Sequence, residues 1–81
     1  MTADSESLGA RLRRLRQKAR LTQQQLATAA GLAITSLAQI ERGAGGDPRL
    51  STLLALAGTL GVDPAVLVKG LPAAAKEKGK R

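Results

Sequence analysis

The 81-residue chain has no cysteine, no histidine and no phenylalanine, tryptophan or tyrosine. Without cysteine there is no disulfide framework and no thiolate metal site. Without histidine, and with only six acidic residues, the usual nucleophile–base pairs and zinc sites lack their raw material. The chain is therefore expected to be neither an enzyme nor a metalloprotein. The missing aromatics leave leucine and alanine to build a thin aliphatic core, to which a dimer partner would add stability. They also disfavour single-strand binding, which relies on aromatic rings as stacking platforms for bases. No apolar run approaches the ~20 residues of a membrane span. The opening MTADSES is polar and acidic, unlike a signal peptide, so a cytoplasmic protein is expected.

Positive charge, by contrast, is plentiful: 13 Lys and Arg give a formal net charge of +7. Arg11, Arg13, Arg14, Arg16, Lys18 and Arg20 crowd one segment, and Lys76, Lys78, Lys80 and Arg81 another. Such clusters suit an anionic polymer or an anionic membrane surface, and they also serve as plain solubilising charge. Between them, from Leu21 to Gly70, acids and bases cancel.

Local signals divide the chain into five short helical segments. Leu8, Leu12, Leu15 and Ala19 form one stripe, with Arg16 about 80° from its centre at the core boundary. Thr22 and Gln25 have the spacing of a capping box, with Leu21 and Leu26 placed as its hydrophobic staple. The segment they start stops near Ala30, before Gly31. A third segment spans about Ala33 to Arg42. Ala33, Leu37 and Ile40 point one way, with Ile34 and Glu41 at the edge, while Thr35, Ala38, Gln39 and Arg42 point the other. Gly43 to Pro48 reads as a loop. Leu50, Leu53, Leu54, Ala57 and Leu60 make a fourth stripe, and Asp63-Pro64 opens a fifth helix through Val68. Residues 1–6 read as a flexible arm, 7–71 as the folded domain and 72–81 as a basic disordered tail.

Two short helices joined by a tight glycine turn make a helix-turn-helix. The chain resembles the phage lambda repressor and Cro family from roughly Leu8 to Gly70. The likeness is carried by Leu21-Thr22-Gln23, Leu26-Ala27, Ala30-Gly31, Ile40-Glu41-Arg42-Gly43 and Leu53 through Gly61-Val62. It implies an all-α, five-helix domain that sets its third helix in the DNA major groove while the second crosses the backbone. The function so implied is a sequence-specific regulator of double-stranded DNA, a repressor acting as a homodimer without cofactor or small-molecule ligand. An antitoxin-type protein-binding regulator and a non-specific nucleic-acid binder are the alternatives.

Residue roles follow from the same resemblance. Gln23, Arg42 and Arg49 would contact phosphates, joined by some of Arg11, Arg13, Arg14 and Arg20; such contacts set register but read no sequence. Arg16 and Glu41 would form a structural ion pair. Thr35, Ala38 and Gln39 would read bases, with Ile34 and Ser36 at the margins. Gln39 can pair bidentately with adenine, and Thr35, Ala38 and Ile34 can pack on a thymine methyl. Two positions depart from the family. Ala33 stands where a polar cap is common, and Ile34 where the first recognition residue is often polar. One bidentate reader leaves room for half-site pairing, DNA shape or the tail to add specificity. Val62, Val66, Val68 and Leu71 are candidates for the dimer surface or for closing the core.

Overall fold

A computed structural model describes residues 6–71; the expected arm residues 1–5 and the tail 72–81 lie outside the described residues. The five helices are α1 (Leu8–Lys18), α2 (Gln23–Ala30), α3 (Ile34–Arg42), α4 (Leu50–Leu60) and α5 (Pro64–Val68). Side-chain caps open α1, α2 and α5. Ser7 Oγ accepts from Ala10 N at 3.1 Å to cap α1. At α2 the capping box is complete: Thr22 Oγ1 accepts from Gln25 N at 3.0 Å, and Thr22 N donates to Gln25 Oε1 at 2.9 Å. Asp63 Oδ1 accepts from Ala65 N to cap α5, with Pro64 at the first helical position. Ala33 and Arg49 offer α3 and α4 no side-chain cap. Ala33 is extended (φ −69°, ψ 144°), so α3 starts at Ile34, one residue later than the wheel suggested.

The end of α1 closes differently from the others. Gly31, Gly43 and Gly61 end α2, α3 and α4 in the left-handed conformation, whereas after α1 it is Arg20 that adopts φ 63°. Leu21 N then donates back to Arg16 O at 3.1 Å. A residue with a Cβ is strained in that region. Arg20→Gly is therefore expected to raise stability by about 0.5–1 kcal/mol, seen as a higher midpoint in thermal unfolding.

The core is wholly aliphatic. Leu12, Leu26, Ala27, Leu37, Leu56, Ala57 and Leu67 have no solvent exposure. Leu8, Leu15, Leu21, Ala30, Leu32, Ile40, Leu53, Leu60 and Val62 pack against them. α1 lies on α3 and α5, α2 on α3 and α4, and α4 on α5. The fourth stripe needs correction. Leu56 belongs in it, while Leu50 is 70% and Leu54 48% exposed. Leu50 is the first residue of α4, where no described element covers it, and Leu54 lies about 60° around the wheel from Ala57.

One glycine sets the distance between two helices. Gly9 is buried in the first turn of α1. A Cβ built there would lie 2.5 Å from Glu41 O and closer still to Ile40 O. The backbone of α1 therefore rests directly on the carbonyls at the end of α3.

Candidate nucleic-acid interface

Leu37 is the anchor of α3, fully buried against α1 and α2. From that anchor the helix turns Ile34, Thr35, Ser36, Gln39 and Arg42 outward, with Ala38 half-buried between them. All five expected base readers thus share one helix and its open side. Gln39 Oε1 lies 3.4 Å from where a Gly45 Cβ would stand, so its carboxamide rests against the loop that follows α3. Arg42 and Arg49, both exposed, stand on either side of that loop, whose Gly43, Gly45 and Gly46 all have positive φ.

Behind this face lies a buried polar knot. Arg16 Nε donates to Glu41 Oε2 at 2.7 Å and Arg16 Nη2 to Glu41 Oε1 at 3.1 Å, while Arg16 Nη1 holds Leu21 O at 2.9 Å. The side chains are 11% and 3% exposed, so the structural ion pair that the resemblance implied takes a bidentate, largely desolvated form. Burial pushes the Glu41 carboxyl up, but the hydrogen bonds from Arg16 and Gln23, with the charges of Arg16 and Arg13, hold it below the ordinary carboxylate value.

Gln23 stands at the start of α2, where the resemblance placed it, and has a partner that the sequence did not name. It is half-buried at the first position of α2, and its Nε2 donates to Glu41 Oε1 at 3.0 Å. The sequence offered Gln23 and Glu41 as separate residues; the fold brings them into one network.

The arginines of α1 also divide. Arg11 is buried, and its Nη1 donates to the carbonyls of Val66 at 3.1 Å, Leu67 at 3.3 Å and Lys69. It ties α1 to the C-terminal end of α5 and is withdrawn from the candidates for phosphate contact. The wheel criterion that singled out Arg16 finds Arg11 as well, about 60° from the stripe centre on the opposite edge. Arg14 pairs with Glu6 at 2.8 Å, and hydrogen bonding to Arg14 lowers the Glu6 carboxyl. Glu6, assigned to the arm, is thus held by α1. Arg13 and Arg20 are exposed.

Among the dimer candidates, Val62 packs against the core and Leu71 is half-buried. Val66 and Val68 remain 39% and 45% exposed. Among the described residues, no group of three or more acidic, histidine or cysteine side chains could hold a metal, and no helix is long and apolar enough to cross a membrane.

Residues 7–68 match the model of a helix-turn-helix domain. The chain belongs to that helix-turn-helix family. It is 44% identical over 62 residues to the immunity repressor protein of Bacillus phage phi105, covering 76% of this chain and 42% of that protein. The chain therefore spans less than half the length of this curated relative. Among solved structures, the P22 c2 repressor protein in complex with a synthetic operator shares 32% identity at a TM-score of 0.74, covering 82% of this chain and 98% of that one. The restriction-modification controller protein C.AhdI from Aeromonas hydrophila shares 36% at 0.73, with the same coverage. The SinR protein/SinI protein complex gives 27% at 0.75, covering 78% of this chain and 61% of that one. The expected all-α, lambda-repressor-like fold is borne out, with α2 and α3 as its helix-turn-helix.

Proposed function

We propose that this helix-turn-helix chain is a sequence-specific double-stranded DNA-binding repressor that acts as a homodimer. The observation that carries the reading is the outward face of α3: a helix anchored by Leu37 presents Thr35, Ser36 and Gln39, ending in the exposed Arg42. A face of short polar side chains bearing one cation fits base edges and a phosphate. The two relatives called repressors, one of them bound to a synthetic operator, support it. In this reading the chain binds and performs no chemical transformation, and its place is the cytoplasm, on the nucleoid.

Gln39 reads a base, with Thr35, Ala38 and Ile34 against thymine methyls and Ser36 beside them. Arg42, Arg49 and Gln23 contact the backbone. The exposed Val66 and Val68 of α5 are the residues left available to a second copy. Two recognition helices then fall about 34 Å apart on successive major grooves.

The test is selection of sites from a random duplex pool at about 150 mM salt, where backbone attraction alone is weakened. A two-fold-symmetric site is expected. Gln39→Ala should erase preference at one position per half-site, a discrimination of about 1–3 kcal/mol. Arg42→Ala should weaken all sequences alike and reduce the salt slope by about one. A pool that shows no enriched site while binding still falls steeply with salt would reduce the motif to a non-specific backbone grip.

A further inference from the structure

We propose that Glu41 is a positioning residue for DNA contact: it fixes which end of the Gln23 carboxamide faces a phosphate. The inference rests on the DNA-binding reading above and deepens it. Its starting point is the chemistry of acceptors. An ionised carboxylate only accepts hydrogen bonds, and so does a phosphate. A glutamine amide carries one end that donates and one that accepts, and its two flipped orientations have nearly the same shape.

Glu41 removes that ambiguity. Both of its oxygens are held by Arg16, Oε2 at 2.7 Å and Oε1 at 3.1 Å, and the carboxylate cannot turn away. Oε1 also takes Gln23 Nε2 at 3.0 Å. The flipped amide would set Gln23 Oε1 against that carboxylate oxygen, lone pair against lone pair. With Nε2 committed, one of its two hydrogens points at Glu41 and the other is left to serve a second acceptor. Gln23 is also the first residue of α2, where backbone N–H groups have no partner inside the helix. Thr22 Oγ1 satisfies the N–H of Gln25, which leaves those of Gln23 and Gln24 directed out of the helix end. The remaining Nε2 hydrogen and these N–H groups make one donor set, suited to a phosphate oxygen. Arg16, by pinning Glu41, is the outer member of the same relay, so the buried ion pair serves both the fold and the interface.

A mutant cycle on duplex affinity, run well below the unfolding temperature, separates this role from a purely structural one. Gln23→Ala should weaken binding about fivefold, the scale of one net hydrogen bond. Arg16→Met with Glu41→Met removes the relay while leaving no lone buried charge, an exchange that proteins tolerate. That double variant should bind more weakly than the wild type, and adding Gln23→Ala to it should cost clearly less than the fivefold it costs alone. If Gln23→Ala costs the same fivefold in both backgrounds, or lowers only the melting temperature, the proposal is overturned. Arg42→Ala serves as the control: if it too leaves affinity unchanged, the DNA-binding reading has failed and the relay with it.

NMR of the wild-type protein gives a second, independent test that needs no variant fold. One Gln23 side-chain amide proton should be shifted and protected in the free protein and stay so when a duplex binds, while its geminal partner moves. If the duplex instead returns the bonded proton to an ordinary solvent-exposed position, Gln23 swings off Glu41 to bind, and the relay does not exist.

Discussion

Gly9→Ala is expected to bring the domain to the edge of unfolding at 25 °C, although alanine is the better helix former. In an exposed helix interior the exchange would gain roughly 0.5–1 kcal/mol. Here the added methyl would stand 2.5 Å from Glu41 O, and the atoms it meets are backbone carbonyls that no side-chain rotation can move. Relief requires α1 to lift from α3. That motion separates Leu12 from Leu37 in the core and lengthens the Arg16–Glu41 bonds. Overpacking of a tight core costs about 1–3 kcal/mol, occasionally more, and a rigid backbone contact belongs at the upper end. A domain this small has only about 3–5 kcal/mol to lose. Circular dichroism should show a loss of helix at 25 °C, whereas Gly58→Ala, where nothing lies within 4 Å of the new Cβ, should melt no lower than the wild type. A native-like melt for Gly9→Ala would mean that α1 and α3 do not approach so closely.

What the sequence made legible was chemistry confined to a few neighbouring residues. The Thr22–Gln25 box, the Asp63-Pro64 start and the glycine stops are contacts within one turn, so their spacing is their geometry. The outward side of α3 was likewise a matter of its own periodicity, with Leu37 inward and Thr35, Gln39 and Arg42 outward. The rest depends on distant segments meeting. Gly9 is a glycine inside a helical stripe, which by itself only lowers helix propensity; the carbonyls it rests on belong to Ile40 and Glu41, and only the fold names them. Arg11 sits at the same kind of edge as Arg16. Its acceptors are main-chain carbonyls of α5, and carbonyls leave no mark in sequence. Leu50 fits the periodicity of its helix and is exposed because the core ends before it; periodicity describes direction, not where packing stops. The join between Gln23 and Glu41 was hidden for the same reason, as it forms only when α2 and α3 pack.

The second large effect concerns the ion pair itself. Glu41→Ala is expected to cost about 3–5 kcal/mol, because it strands the Arg16 guanidinium in a site closed to water. Arg16 would keep its bond to Leu21 O at 2.9 Å and lose both bonds to the carboxylate, and Gln23 Nε2 would lose its acceptor as well. Removing both charges as Arg16→Met with Glu41→Met should cost far less, since an apolar pair of similar volume restores packing without desolvated charge. Circular dichroism in buffer and chemical denaturation make the comparison: the single variant should be largely unfolded at 25 °C while the double variant keeps a cooperative transition, and equal losses would place the pair in solvent. Acid should imitate the single variant. Glu41 is held below the ordinary carboxylate value in the fold, so its contribution is fully present above the unfolded pKa of about 4.3. It is lost as pH falls through the depressed folded value, because the unfolded chain takes up the proton first. Wild-type stability should therefore decline as the pH drops below about 4.3, and Arg16→Met with Glu41→Met should decline less steeply over the same window, leaving mainly Glu6, paired with Arg14 and Arg11, to titrate.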